Sequence, residues 1–222
     1  MYLTVSKVSK YFGKQKVLSD VSFSLEKGKI HGVIGHNGSG KTLLFKCICG
    51  YLSPDQGDIT VNGKRIGKDI AFPENMGLIL ETPGFLPHCK GENNLEMLYT
   101  IRQPKNNATI CAALQKVGLL AAAKKPVSTY SLGMRQRLGI AQAIMENPDF
   151  LLLDEPFNAL DAQGVSHLRD LFLSLKAQGT TIVFSSHNPI DIQLLCDSVT
   201  CLDAGQVVKN SDFFYQSFSP FL

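Results

Sequence analysis

The chain has 222 residues, 44% hydrophobic and 18% charged, a balance that suits one globular domain rather than a disordered or fibrous chain. A formal net charge of +3 with no Lys/Arg cluster argues against nucleic acid as a partner. The longest apolar runs, Phe150 to Leu153 and Leu119 to Ala123, fall far short of the roughly 20 residues that span a bilayer, and no secretory signal opens the chain. A cytosolic protein is expected, with any membrane domain on another chain.

In chain order, Val21 to Leu25 alternates apolar and polar residues, and Asp58 to Ile66 holds an Asn62-Gly63 turn between two β-prone runs. A small antiparallel sheet is predicted. Between these, Ile30 to Gly35 is an apolar strand entering a glycine-rich turn, and Thr42 to Cys49 a helix closed by Gly50. From Glu92 to Asn147 the chain reads as helical: Asn93 to Ile101, Thr109 to Val117 and Leu132 to Met145, broken by Pro104 and Pro126. Strands return at Phe150 to Asp154, Thr180 to Ser185 and Ser198 to Leu202. Val165, Leu168, Leu171, Phe172 and Leu175 share one face of a helix between the first two. Strands alternating with helices predict a largely parallel α/β sheet with ligands at the C-terminal ends of its strands. The six cysteines lack paired C-x-x-C spacing and are expected to be reduced core thiols.

Gly35-His36-Asn37-Gly38-Ser39-Gly40-Lys41-Thr42 fits G-x-x-x-x-G-K-[ST] in the required context, after a buried strand and opening a helix. Such a loop turns backbone N–H groups and a helix N-terminus on a triphosphate, with Lys41 for the outer phosphates and Thr42 for Mg²⁺. Phe150 to Leu153 then ends in Asp154 and Glu155, adjacent carboxylates that are costly without a cation. Asp154 is the expected metal ligand, and Glu155 the residue that orients or deprotonates the attacking water.

Tyr130-Ser131-Leu132-Gly133-Met134-Arg135-Gln136-Arg137 resembles the signature of ABC ATPases, commonly LSGGQ followed by a basic residue. Ser131 and Gly133 match; Leu132 and Met134 depart. The resemblance covers the whole chain in family order: the Gly35 loop, the signature, Asp154-Glu155, Asn158-Ala159-Leu160-Asp161 like the D-loop, and His187 like the switch histidine. It implies a P-loop NTPase (RecA-like) core and an N-terminal antiparallel β subdomain over 1–82 and 148–222, with an inserted α-helical subdomain over 83–147. It also implies ATP and Mg²⁺ as ligands, ATP hydrolysis, transmembrane partner subunits, and a position on the inner face of the membrane. In the family the signature of one subunit completes the site of the other. A head-to-tail dimer is therefore implied, with Ser131, Gly133 and Met134 meeting the partner's nucleotide and Asp161 in the D-loop. Read as structure alone, Ser131 is a helix N-cap. Tyr11-Phe12-Gly13 resembles the stretch that presents an aromatic ring to adenine; Phe12 is the first choice, Tyr11 the competitor, and core packing the other reading of Phe12.

Most of the family has glutamine where this chain has Glu81, in Gly77-Leu78-Ile79-Leu80-Glu81-Thr82-Pro83. With the altered signature, this resembles the ATPases of bacitracin-resistance and lantibiotic-immunity transporters, which expel peptide antibiotics. A carboxylate only accepts hydrogen bonds and brings a full charge, so a more anionic, metal-sensing site is expected, with Glu81 counted among the catalytic and metal residues. The rival of another class is an ABC ATPase acting away from transport.

Overall fold

The computed structural model describes residues 1–81 and 84–208. Its centre is a six-stranded sheet of β3 (Ile30–Ile34), β6 (Met76–Ile79), β7 (Phe150–Leu153), β8 (Thr181–Ser185), β9 (Ser198–Asp203) and β10 (Gln206–Val208), in the order β10-β9-β3-β8-β7-β6. All neighbours are parallel except the β9-β10 hairpin at the edge. β3, β7 and β8 are buried at every position. Sheets covered on both faces demand continuous apolar runs rather than alternation, which is why these strands read so clearly. Successive residues still serve opposite faces. Leu151, Leu153, Ile182 and Phe184 join one core with α4 (Leu132–Ile144) and α5 (Ala162–Ala177), while Val33, Leu152 and Val183 join another with α1 (Lys41–Ile48).

The second core is closed by an antiparallel sheet, β1 (Leu3–Phe12), β2 (Gln15–Leu25), β4 (Gln56–Val61) and β5 (Lys64–Arg65), in the order β2-β1-β4-β5. Asn62 at φ 48° and Gly63 at φ 77° form the predicted tight turn, both central residues being left-handed. β1 escapes a period-two reading because its register slips between Val5 and Val8, where Lys7 takes φ 49°. Between β6 and β7 in the chain come α2 (Gly91–Tyr99), α3 (Asn107–Lys116) and α4, which pack on one another, with α4 also packed on β6. α6 (Pro189–Leu195), capped by the Asn188 side chain, was not among the predicted helices. The expected subdomain boundary at 82/83 and the stretch 209–222 lie outside the described residues.

The cysteine expectation needs one correction. Burial pushes Cys47 and Cys201 up to about 11 and Cys196 up to about 12, as befits unreactive core thiols. Cys111, however, is exposed on α3, and Cys89 is only half-buried. Cys47, Cys49, Cys89, Cys111 and Cys196 are free thiols, and among the described residues no cluster of three or more His, Cys, Asp or Glu side chains could hold a metal ion.

His31, in the middle of β3, stacks on Phe23 at 4.8 Å, and its ring nitrogens meet Ser198 Oγ at 2.8 Å and Thr200 Oγ1 at 2.9 Å. Hydroxyls satisfy a neutral imidazole, and burial lowers its pKa from 6.5 to about 4. The unfolded chain therefore binds a proton below about 6.5 that the folded chain refuses until about 4. Stability contributed by neutral His31 is full above 6.5 and declines across that window, by up to about 3 kcal/mol. Urea melts from pH 7.5 to 4.5 should show this decline, and His31→Gln should flatten it; an unchanged slope in the variant assigns the loss elsewhere.

Candidate nucleotide site

β3 delivers the chain into the loop 35–40, and α1 carries it away. Gly38 (φ 82°) and Gly40 (φ 104°) take the left-handed backbone that such a loop requires before the helix start. At Gly35 the reason for glycine is space: a Cβ would lie 2.2 Å from Leu202 O and 2.5 Å from Ser39 Oγ. His36, Asn37 and Gly38 form the exposed rim. Ser39 Oγ is buried and has no hydrogen-bond partner. A buried hydroxyl left unpaired costs about 1–3 kcal/mol, so the loop is built to meet an acceptor or donor it does not itself contain. A phosphate fits that need.

Lys41 is 7% exposed, and its ammonium donates to Gly35 O at 2.7 Å and His36 O at 3.1 Å, 3.9 Å from Glu155 Oε1. Thr42 Oγ1 donates to Asp154 Oδ2 at 2.6 Å, and Ser185 Oγ donates to Asp154 Oδ1 at 2.6 Å. Ser185 Oγ in turn accepts from Glu155 N at 2.7 Å, while His187 Nδ1 sits 3.0 Å from Glu155 Oε2. Thus α1, β7 and the end of β8 converge on one polar knot at the C-terminal edge of the parallel sheet. A threonine hydroxyl beside a carboxylate is an oxygen donor set suited to Mg²⁺.

Glu81 follows β6 at φ 59°. It lines a cavity of about 330 Å³ together with Asp154, Glu155, Leu132, Arg135 and Gln136. A cation stands beside its charge: Lys46 Nζ donates to Glu81 Oε1 at 2.7 Å. Lys46 stands one helical turn beyond Thr42 on α1, which is why it reaches the same side.

The signature residues occupy the start of α4. Ser131 is its N-cap, accepting from Met134 N at 3.2 Å, and Asp161 caps α5 by accepting from Gly164 N at 2.8 Å. Gly133 packs so closely on the segment after Glu155 that a Cβ would lie 2.6 Å from Ala159 O. Phe12 ends β1 with 49% of its surface exposed and Lys10 Nζ 5.9 Å from its ring centroid, which removes the core-packing reading. Sequence reasoning missed Ser185, Gln136 and Lys46 in this neighbourhood. The available signal for Ser185 was a hydroxyl closing an otherwise apolar strand two residues before His187.

Fold and site together define a P-loop nucleoside triphosphatase with an antiparallel β layer and a helical insertion. The family model for ABC transporters matches residues 18–158, and the chain belongs to that family. It is 41% identical over 214 residues to YybJ, an uncharacterized ABC transporter ATP-binding protein of Bacillus subtilis, across 96% of this chain and 98% of that protein. It is 37% identical over 204 residues to the bacitracin transport ATP-binding protein BcrA of Enterococcus faecalis, across 91% of this chain and 67% of the relative. A solved ATP-binding subunit of an ABC transporter superposes with a TM-score of 0.84 at 28% identity, covering 97% of this chain and 93% of that one. The chain is an ATP-binding, ATP-hydrolysing transporter subunit that powers transport. No helix among the described residues is long and apolar enough to cross a membrane.

Ser39 separates binding from stability. Ser39→Ala deletes an unpaired buried hydroxyl, so the nucleotide-free protein should melt at the same temperature or higher. Its ATP affinity should fall by about 1 kcal/mol, roughly fivefold. Calorimetric titration alongside a thermal melt checks both signs.

Proposed function

We propose that this chain is the ATP-hydrolysing half-site of a peptide-antibiotic exporter, peripheral on the inner face of the membrane and bound there by separate transmembrane subunits. The observation that carries the catalytic part is the unbroken chain of contacts Thr42, Asp154, Ser185, Glu155, His187. In this reading the 35–40 amides, Ser39 and Lys41 bind the phosphates, and Phe12 stacks on adenine. Thr42 and Asp154 would hold Mg²⁺, which would supply neutralisation of the phosphate charge. Glu155 accepts the proton of the attacking water, and His187, within hydrogen-bond reach of Glu155, holds its carboxylate and meets the outer phosphate. Glu81, charge-balanced by Lys46, senses the metal and couples the site to the membrane partner.

A lone copy leaves the other side of the nucleotide open to water. Ser131, Gly133 and Met134 of a facing copy, with its α4 N-terminus, would close it in a head-to-tail dimer, Asp161 flanking the contact. The exposure of Ser131, Leu132 and Asp161 in the chain supports that arrangement.

Peptide antibiotics as substrate rest on Glu81, on the signature Ser131-Leu132-Gly133-Met134, and on the bacitracin transport relative.

Glu155→Gln should bind ATP as the parent does, lose about 10²-fold or more in kcat, and accumulate as an ATP-bound dimer on a sizing column. Turnover at the parent rate would take Glu155 out of the role of base. Deleting the chain from its host should raise sensitivity to bacitracin-like or lantibiotic peptides; unaltered sensitivity to every such peptide would overturn the substrate class.

A further inference from the structure

Glu155 is a non-glycine residue at φ 46°, a left-handed backbone that persists only where surrounding groups hold it. β7 ends at Leu153, so the sheet ladder does not do this. Two side chains do, beside one turn hydrogen bond from Asn158 N–H to Glu155 O at 3.2 Å. The N–H of Glu155 donates to Ser185 Oγ at 2.7 Å, and its carbonyl also accepts from Gln136 Nε2 at 3.4 Å, the same amide donating to Pro156 O at 3.2 Å.

Hydrogen accounting makes the Ser185 arrangement directional. A serine hydroxyl has one hydrogen, and here it goes to Asp154 Oδ1, leaving a lone pair for the Glu155 N–H. Ser185 is fully buried at the end of β8, so its oxygen has little freedom to move. Gln136 approaches from the other side, on α4. That helix is itself seated on the segment after Glu155 through the close approach of Gly133 to Ala159 O. The two peptide groups flanking the Glu155 Cα are thus pinned from two different layers of the fold.

We propose that Ser185 and Gln136 are positioning residues that together clamp Glu155 in its left-handed conformation, aiming its carboxylate at His187 and the reacting water. The clamp rests on the reading of Glu155 as the base. It adds that α4, whose N-terminus carries the signature, is tied within one chain to the catalytic carboxylate, so a shift of the helical layer moves Glu155.

The two arms act differently. Ser185→Ala frees both Glu155 and one oxygen of Asp154, and should lower kcat about tenfold or more while also raising the Mg²⁺ concentration needed for half-maximal rate. Gln136→Leu touches only the carbonyls. It should lower kcat about tenfold with ATP affinity, measured in EDTA, and half-saturating Mg²⁺ both unchanged. Ser185→Thr, which keeps the hydroxyl, should recover most of the rate.

In a Glu155→Gln background, Gln136→Leu should cost nothing further in single turnover, because the group it aims is gone. Independent of activity, amide hydrogen exchange should quicken at Glu155 in Ser185→Ala, and at Phe157 and Asn158 in Gln136→Leu. Unchanged exchange in both variants, or an equal fold loss with and without the Glu155 carboxylate, would overturn the clamp. If Glu155→Gln alone turns over at the parent rate while exchange quickens as expected, the clamp stands and only the base role of Glu155 falls. Should Ser185→Ala fail to fold, Gln136→Leu, on the half-buried face of α4, decides alone.

Discussion

Two adjacent carboxylates close a strand that is buried on both faces, and the rest of the site is arranged around making that tolerable. Withdrawing a charge from water costs on the order of several kcal/mol per ion unless hydrogen bonds replace the solvent. Asp154 is nearly buried, and each of its oxygens has one hydroxyl donor, Thr42 from α1 and Ser185 from β8. Glu155 meets His187 through one carboxylate oxygen and lies 3.9 Å from Lys41 through the other. Every one of these partners is delivered by the C-terminal edge of a parallel strand or the helix that follows, so the sheet order β3-β8-β7 is what brings the chemistry together.

The same region concentrates backbone strain. Glu81, Glu155 and Ala159 all lie at positive φ, at 59°, 46° and 63°, around one cavity. Each such residue costs of order 1–3 kcal/mol and survives because packing over-determines it. Phe157 supplies much of that packing: its ring meets Phe172 of α5 at 5.4 Å and Phe184 of β8 at 5.7 Å, anchoring the segment from Glu155 to Leu160 from below. A strained segment held on one side by an aromatic core and on the other by α4 can transmit displacement without being loose, which is what a site coupled to other subunits requires.

Much of this was legible in the order of residues. The glycine loop was recognisable because phosphate binding needs a fixed spacing of glycine, lysine and threonine along a few consecutive positions. β3, β7 and β8 were recognisable because strands buried on both faces are predominantly apolar rather than alternating. β1 was not, since a register slip near Lys7 breaks its alternation, nor was α6, only seven residues long. Glu81 shows the limit from the other side: its identity marked a departure and suggested added charge, but its ion pair with Lys46 is invisible to a reading that does not know α1 and β6 end side by side.

The order of residues alone pointed to the class of chemistry, a triphosphate loop, a candidate metal-binding acid and a candidate base in family order, because each is encoded by neighbours along the chain. How those pieces are held depends on the packed fold. Ser185 lies 30 residues from Glu155, and Gln136 lies 19 residues on its other side. Their contacts arise when β8 pairs with β7 and α4 packs on the sheet. Hydrogen bonds between such distant residues depend on the packing of whole layers, a quantity that no local pattern of residues records.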